Sequence, residues 1–269
     1  MFKQKETIGI ATITKNRIKN LIPSLLTWLE LDQVSVINIF DFRSDIPVYG
    51  ALRRYSILDD KRVNVYRCEE EEDFHRTKFW NIAISETNAD KILKLDSDYK
   101  IHPQFINYHP LTGKKLFYAG NWKTARVKNE SFLHGLVYAR KEDFLGVGGY
   151  NERLTGYGWE DDDIYQRMKD NGCEYLDISY DYAYHIPHSH LERIKADRRR
   201  NPEAYNEEWA TVRDIEGALP LYKEEVESEM MRLVWENKRK AEENPWGTWD
   251  EMTTIKSKKQ KDNLTIFEY

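Results

Sequence analysis

The sequence predicts an α/β fold, a mixed, mostly parallel sheet flanked by helices, with a helical extension at the C-terminal end. Three observations predict it. Strand-length apolar runs alternate with helix-period segments over the first hundred residues. One apolar run delivers two carboxylates, Asp96 and Asp98, at its end. Beyond Leu191 the strand signals give way to charged helical stretches. At 269 residues, one domain with an appendage is the natural organisation, and its core can be sizeable.

Each element has its own signal. Residues 7–13 are an apolar strand. Ile18, Leu21, Ile22, Leu25, Leu26 and Leu29 then recur at helical spacing on one face. Residues 34–40 form a second strand ending in Asp41, and 64–67 a short third one. The acidic run 69–73 is a solvated loop. Residues 76–86 form a helix carrying Phe79, Trp80, Ile82 and Ala83. Residues 91–95 are the strand that presents Asp96-Ser97-Asp98. This β-α-β-β-α-β order implies parallel pairing under covering helices. Mixed segments follow at 116–119 and 132–139, then a short helix from Lys141 closed by Gly148-Gly149. Residues 164–168 are helical and stop at Asn171-Gly172. Past Leu191, Pro220 separates two charged helical stretches, and 256–261 is a frayed tail. There is no internal repeat and no low-complexity domain.

Composition narrows the function. The net charge of −5 argues against general nucleic-acid binding. Eight Trp and seventeen Tyr suit carbohydrate stacking, although packing alone also uses aromatics. Two cysteines, Cys68 and Cys173, fit a reducing, cytoplasmic setting without a disulfide framework. No apolar run is long enough to span a bilayer, and the N-terminus carries no apolar signal core. The sequons at Asn129 and Asn263 are read as coincidental in such a chain.

Three clusters carry chemistry. Gly156-Tyr157-Gly158-Trp159 leads into Glu160-Asp161-Asp162-Asp163. Four adjacent like charges repel, so they are solvated, bind cations or do chemistry. Their place at a helix N-terminus tolerates the charge, and the aromatics before them could stack on a sugar ring. Asp96 and Asp98 sit at a strand's carboxyl end, where α/β sheets bind ligands. At i and i+2 they can share a hard divalent cation and the diphosphate it carries. His185-Ile186-Pro187-His188-Ser189-His190 places three of the chain's seven histidines in six residues. Pro187 argues against a helix there, and imidazoles at this spacing suit manganese or zinc.

Together these residues resemble a GT-A (Rossmann-like) glycosyltransferase, most closely the beta-1,4-galactosyltransferase-like group. Residues 8–17, ending in Asn16-Arg17, look like the family's first strand. His75-Arg76-Thr77-Lys78-Phe79-Trp80-Asn81 looks like its second helix start. Asp96-Ser97-Asp98 matches its Asp-x-Asp, and Leu133-His134-Gly135-Leu136 its glycine-rich donor-side turn. Gly158-Trp159-Glu160-Asp161-Asp162-Asp163 and His185-Ile186-Pro187-His188 match its acidic and metal-binding segments. Tyr157, Trp159 and His134 depart from the family's residues beside the sugars.

The resemblance implies a GT-A domain over 1–205, with a nucleotide-sugar half to about residue 100 and an acceptor half after it, and a helical extension and tail over 206–269. It implies a UDP-sugar donor, a glycan or glycoconjugate acceptor, and Mn2+ or Mg2+ as cofactor. Asp98, His188 and His185 would ligate the metal. Thr14, Asn16, Arg17, Arg76, Lys78, Asp96 and Gly135 would serve the donor, and Asp41 would face the uracil. Asp161 would be the general base, with Tyr157, Trp159, Glu160 and Asp162 on the acceptor and sugar side. Asp163 is assigned a structural role. Residues 189–201, basic through Arg193, Lys195 and Arg198 to Arg200, correspond to a lid that closes over the donor.

The chemistry explains the combination. Breaking a glycosyl–phosphate bond builds charge on the leaving diphosphate, and a cation with basic side chains stabilises it. The attacking hydroxyl must lose a proton to a carboxylate, and crowding among Glu160, Asp161 and Asp162 would raise the pKa of one of them. Single displacement inverts the anomeric centre, and the sequence leaves double displacement open. The rival classes are a metal-dependent nucleotide-sugar phosphohydrolase and a non-catalytic carbohydrate-binding module. Tyr99-Lys100 after the Asp-x-Asp weighs against the haloacid-dehalogenase type, and a binding module leaves the metal set unexplained.

Overall fold

The computed structural model describes residues 6–69, 75–188 and 219–269, with side chains outside the description in 219–230. All of the acidic run 69–73 except Glu69, and the expected lid at 189–201, lie outside the described residues. Among the described residues, nine strands form one sheet in the order β10-β11-β3-β2-β1-β4-β7-β6-β8. The parallel heart is β1 (Ile8–Thr14), β2 (Val34–Phe42), β3 (Val63–Cys68) and β4 (Lys91–Lys94). β7 (Val137–Arg140) runs antiparallel to β4 and to β6 (Leu116–Ala119), and β8 (Glu174–Asp177) closes that side parallel to β6.

Helices cover both faces. β1 sends Ile8 and Ile10 to one core and Ala11 and Ile13 to the other, as a strand buried on both sides must. α1 (Ile18–Trp28) fills the first core through Leu21, Leu25 and Trp28. Leu26, expected on that face, is instead exposed, because the buried stripe follows i, i+4 and i+7. α3 (Arg76–Glu86) fills the second core through Phe79, Trp80, Ile82 and Ala83. A further helix, α2 (Val48–Arg54), had no signal strong enough to be read.

Two features position the site. β1 pairs with β2 on one side and β4 on the other, so the strand order reverses at β1 and a crevice opens at the carboxyl ends of β1 and β4. A separate two-stranded ribbon pairs β5 (Tyr99–Ile101) with β9 (Ala183–His185), placing Tyr99 opposite His185. Trp28 Nε1 donates to the Tyr99 carbonyl at 2.8 Å, fixing the ribbon to α1. α4 (Phe105–Tyr108), α5 (Lys128–Ser131), α6 (Lys141–Leu145) and α7 (Glu160–Asp170) complete the body.

The C-terminal region corrects one expectation. Residues 256–261 are not a frayed tail: β10 (Ser257–Lys261) pairs with β11 (Leu264–Glu268), which lies parallel against β3. Thr265, Phe267 and Tyr269 alternate into the core. The outermost strand is mostly lysine because an edge is protected by charge, and that composition imitates a solvated tail. Before this hairpin, α8 (Leu219–Glu243) carries Pro220 in its first turn, where a helix tolerates proline; the stretch expected before Pro220 lies outside the described residues.

Candidate active site and metal centre

Asp98, His185 and His188 converge, their ligating atoms all within 4.8 Å of one another. His188 Nε2 lies 3.0 Å and His185 Nε2 3.8 Å from Asp98 Oδ2. The Ile186 amide donates to the Asp98 carbonyl at 2.7 Å, continuing the ribbon and locking the two loops together. Asn129 orients one ligand: its Oδ1 accepts from His185 Nδ1 at 3.0 Å while its Nδ2 donates to the His185 carbonyl at 3.0 Å. This leaves Nε2 as the lone-pair nitrogen facing Asp98, as a metal ligand requires. Burial would raise the Asp98 carboxyl, but the His188 hydrogen bond and the charges of His185, His188 and Arg17 outweigh it and hold the pKa below the ordinary range. One carboxylate and two imidazoles with one supported tautomer fit a divalent transition metal.

The four consecutive carboxylates at the start of α7 do not share one environment. Each has its own cation from a different part of the chain. Arg76 pairs with Glu160 at 2.8 Å, Lys94 with Asp161 at 3.1 Å, His134 with Asp162 at 3.2 Å and Arg167 with Asp163 at 2.6 Å. Asp163, expected to be structural, is the one whose cation lies on the same helix. Lys94 is buried in β4, donates to the Gly135 carbonyl at 2.7 Å, and lies 4.4 Å from the Trp80 ring centroid. Tyr150 donates its hydroxyl to Asp161 Oδ1 at 3.0 Å.

This geometry corrects the expectation that crowding raises the base. Burial pushes Asp161 up, but Lys94, His134 and the Tyr150 hydrogen bond overcome it, and the pKa is lowered. His134 donates from Nδ1 to the Gly120 carbonyl, so Nε2 reaches Asp162 as a donor only when the ring is charged. Burial opposes that charge, yet the two aspartates prevail and the imidazole is raised. Gly135 lets the chain pass between these groups, since a Cβ there would lie 3.1 Å from Asp161 Oδ2 and 3.3 Å from Lys94 Nζ.

A cavity of about 920 Å³ joins the two clusters. Thr14, Arg17, Arg76, Asp96 and Gly135 line it, and the Thr14 hydroxyl is buried without a hydrogen-bond partner among the described residues. Asp98, His188, Tyr157, Trp159, Glu160, Asp161 and Asp162 line it as well, while His185 stands behind Asp98. Three further expected residues are not in its wall. Asn16 turns to the next loop, accepting from the Asp45 amide at 2.7 Å. Lys78 lies on α3 outside the lining. Asp41, expected to face a uracil, is fully buried. It accepts from the amides of Ser44 and Val48 and from Arg67, so it holds the loop rather than a base.

Sequence reasoning missed Lys94, Asn129, Tyr150 and the α8 residues Trp235 and Lys238, which also line the cavity or support it. Only Lys94 had a signal, as a charge inside the apolar run Ile92-Leu93-Lys94-Leu95.

Residues 116–190 match the family described as "N-terminal domain of galactosyltransferase". No curated protein matches the chain in sequence. Among solved structures, GalNAc-T7 with UDP, GalNAc and Mn2+ aligns at TM-score 0.56 and 14% identity, over 68% of this chain and 44% of that one. Mannosyltransferase PcManGT from Pyrobaculum calidifontis, with GDP-Man and Mn2+, aligns at TM-score 0.52 and 13% identity, over 65% and 55%. Glucosyl-3-phosphoglycerate synthase from Mycobacterium tuberculosis, with Mn2+, UDP and phosphoglyceric acid, aligns at TM-score 0.51 and 16% identity, over 72% and 75%. The fold is the GT-A fold expected from sequence. Among the described residues, no helix is long and apolar enough to cross a membrane.

Proposed function

We propose that this chain, which has the GT-A fold and resembles the beta-1,4-galactosyltransferase-like group, is a metal-dependent inverting glycosyltransferase. It moves a hexose or N-acetylhexosamine from a UDP-sugar to a hydroxyl of a glycan or glycoconjugate. The observation that carries this reading is the meeting of Asp98, His188 and His185 with the Glu160–Asp162 carboxylates across one cavity.

Asp98, His185 and His188 would hold Mn2+, the cation present in all three structural neighbours, or Mg2+. A bound cation would neutralise the diphosphate as it leaves. Arg17 and Arg76 face the same cavity and add positive charge for the nucleotide. Thr14 offers its unpartnered hydroxyl, and Asp96 stands at the strand end for the ribose or the outer metal shell. Asn16 and Lys78 support the donor side from outside the wall, and Gly135 lets the donor-side turn lie close to Asp161.

On the acceptor side, Asp161 takes the proton from the attacking hydroxyl. Lys94 keeps it ionised at neutral pH, which guarantees the base form while reducing its basicity. Glu160 and Asp162 receive sugar hydroxyls, and Tyr157 and Trp159 present rings for stacking. Bringing acceptor and donor together in one enclosed space converts the transfer into a positioned, near-unimolecular step.

A thermal-shift screen of nucleotide-sugars with Mn2+ and with chelator tests the reading, followed by NMR of the product anomer. Mn2+-dependent stabilisation by a UDP-sugar and acceptor-stimulated, inverted transfer are expected. UDP-sugar hydrolysis that no acceptor stimulates would instead assign a phosphohydrolase, and sugar binding indifferent to chelator a carbohydrate-binding module.

A further inference from the structure

One wall of the cavity comes from the C-terminal part of the chain. It is built by α8, where Met231, Val234, Trp235 and Lys238 recur at helical spacing and line the cavity. Trp235 is 61% exposed, so its indole fills no core. It is nevertheless held. The Lys238 ammonium stands 5.1 Å from the Trp235 ring centroid and 5.1 Å from that of Trp159, and 3.9 Å from Glu242. The turn before α7 and the face of α8 therefore form one indole–ammonium–indole stack.

Trp159 itself is strained. Its φ of 70° is a left-handed conformation that is costly for a bulky residue and persists only where the surroundings impose it. α8 imposes it. Val234 packs so closely on Gly158 that a Cβ there would lie 2.3 Å from Val234 Cγ2. Asn237 donates to the carbonyls of Thr155 and Gly158 at 2.9 Å each, and its oxygen accepts from the Thr155 amide. Such strain, held in place beside Glu160 and Asp161, aims an aromatic ring rather than merely ending a helix.

We propose that Trp235, held by Lys238, is a stacking platform for a sugar ring of the acceptor, which is therefore an oligosaccharide spanning at least two rings. The proposal rests on the glycosyltransferase reading above. Trp159, at the head of the helix that bears the base, takes the ring whose hydroxyl attacks. Trp235 stands one layer further along, separated from it by a single ammonium, within reach of the next linked ring. The C–H face of a pyranose is apolar and its rim is polar, which suits an exposed indole above a carboxylate floor.

The test uses the full chain as wild type, Trp235→Ala and Trp235→Phe, with UDP and Mn2+ present, on a printed array running from monosaccharides to hexasaccharides. Calorimetry measures UDP binding with Mn2+ for each protein. Wild type is expected to retain oligosaccharides and not the matching single sugars. Trp235→Ala loses at least about tenfold of that affinity, Trp235→Phe keeps most of it, and all three bind UDP alike. Identical array patterns for wild type and Trp235→Ala, an empty pattern included, overturn the subsite if UDP binding is intact. If no protein binds UDP with Mn2+, the glycosyltransferase reading fails and the subsite falls with it.

Discussion

Lys94 is the residue on which the acidic helix turns, and it shows how a buried charge can set the state of its neighbour. Replacing it with methionine keeps the volume and removes the ammonium, so the Asp161 carboxyl is expected to rise in pKa. Carboxyl 13C NMR reads this directly, and an unchanged Asp161 titration would put its control elsewhere. The sign for stability follows. A carboxylate held below its unfolded pKa stabilises the fold at pH above the unfolded value, and that contribution is lost as pH falls through the folded one. Lys94→Met should therefore flatten acid-side stability, and the acidic limb of turnover should move to higher pH. Asp161→Asn is expected to keep UDP-sugar binding and to lose about a hundredfold or more in turnover, because asparagine cannot accept the proton. Near-normal turnover would move the base to Glu160. His188→Ala should lose at least about tenfold in Mn2+ affinity, measured by titration. Full activity of that variant in chelator would remove the metal from the reaction. The two aspartates and the histidines stood out in the sequence because each set falls in a short run of like residues. Lys94 was not, since its partner stands 67 positions away and no local pattern joins them. Asp41 shows the opposite failure: a strand-end carboxylate looks ligand-facing until the loop's own amides are seen to occupy it.

At the scale of elements, the turn at 155–158 and α8 behave as one unit. Asn237 is buried and satisfies a Thr155 amide and two carbonyls that would otherwise face each other unpaired. Asn237→Ala is expected to cost about 1–3 kcal/mol in urea denaturation and to loosen the 231–243 stretch in hydrogen exchange. A variant with wild-type stability would mean that Val234 and Lys238 hold the turn without it. The central strands were readable because parallel strands are buried on both faces and appear as apolar runs. The ribbon of β5 and β9 was not, being three residues on each side and apolar mainly through Tyr and Ala. Its contribution to the site is large, for it is the pairing of Tyr99 with His185 that brings the histidine loop to Asp98. The two sequon asparagines also have plain structural work here. Asn129 holds His185, and Asn263 donates to the carbonyls of Leu58 and Val63.

For the molecule as a whole, the sheet is continuous from the lysine-rich edge of β10 to β8, and its far C-terminal strand lies beside β3. Phe267 is almost fully buried and meets Phe40 and Phe42 edge-on at 6.2 and 5.9 Å. Phe267→Ala is expected to lower stability by about 3–5 kcal/mol in chemical denaturation, with UDP binding weakened in proportion to unfolding. A loss under about 1 kcal/mol would show that the hairpin merely rests against the body. The α/β class and its parallel order were legible from alternation of strand and helix signals, whereas the sheet's outer boundary was not, because its protecting lysines resemble solvated chain. That boundary has a consequence in time. The side chain of Asn263 meets a carbonyl 200 residues behind it, at Val63. A ribosome adding roughly 5–20 residues per second needs roughly 10–40 s to cover that distance. Throughout that interval the nascent β3 shows a bare row of amides and carbonyls, open to pairing with any neighbouring strand. Chains stalled before residue 264 therefore keep that edge of the sheet open, and with it a site for strand-to-strand aggregation.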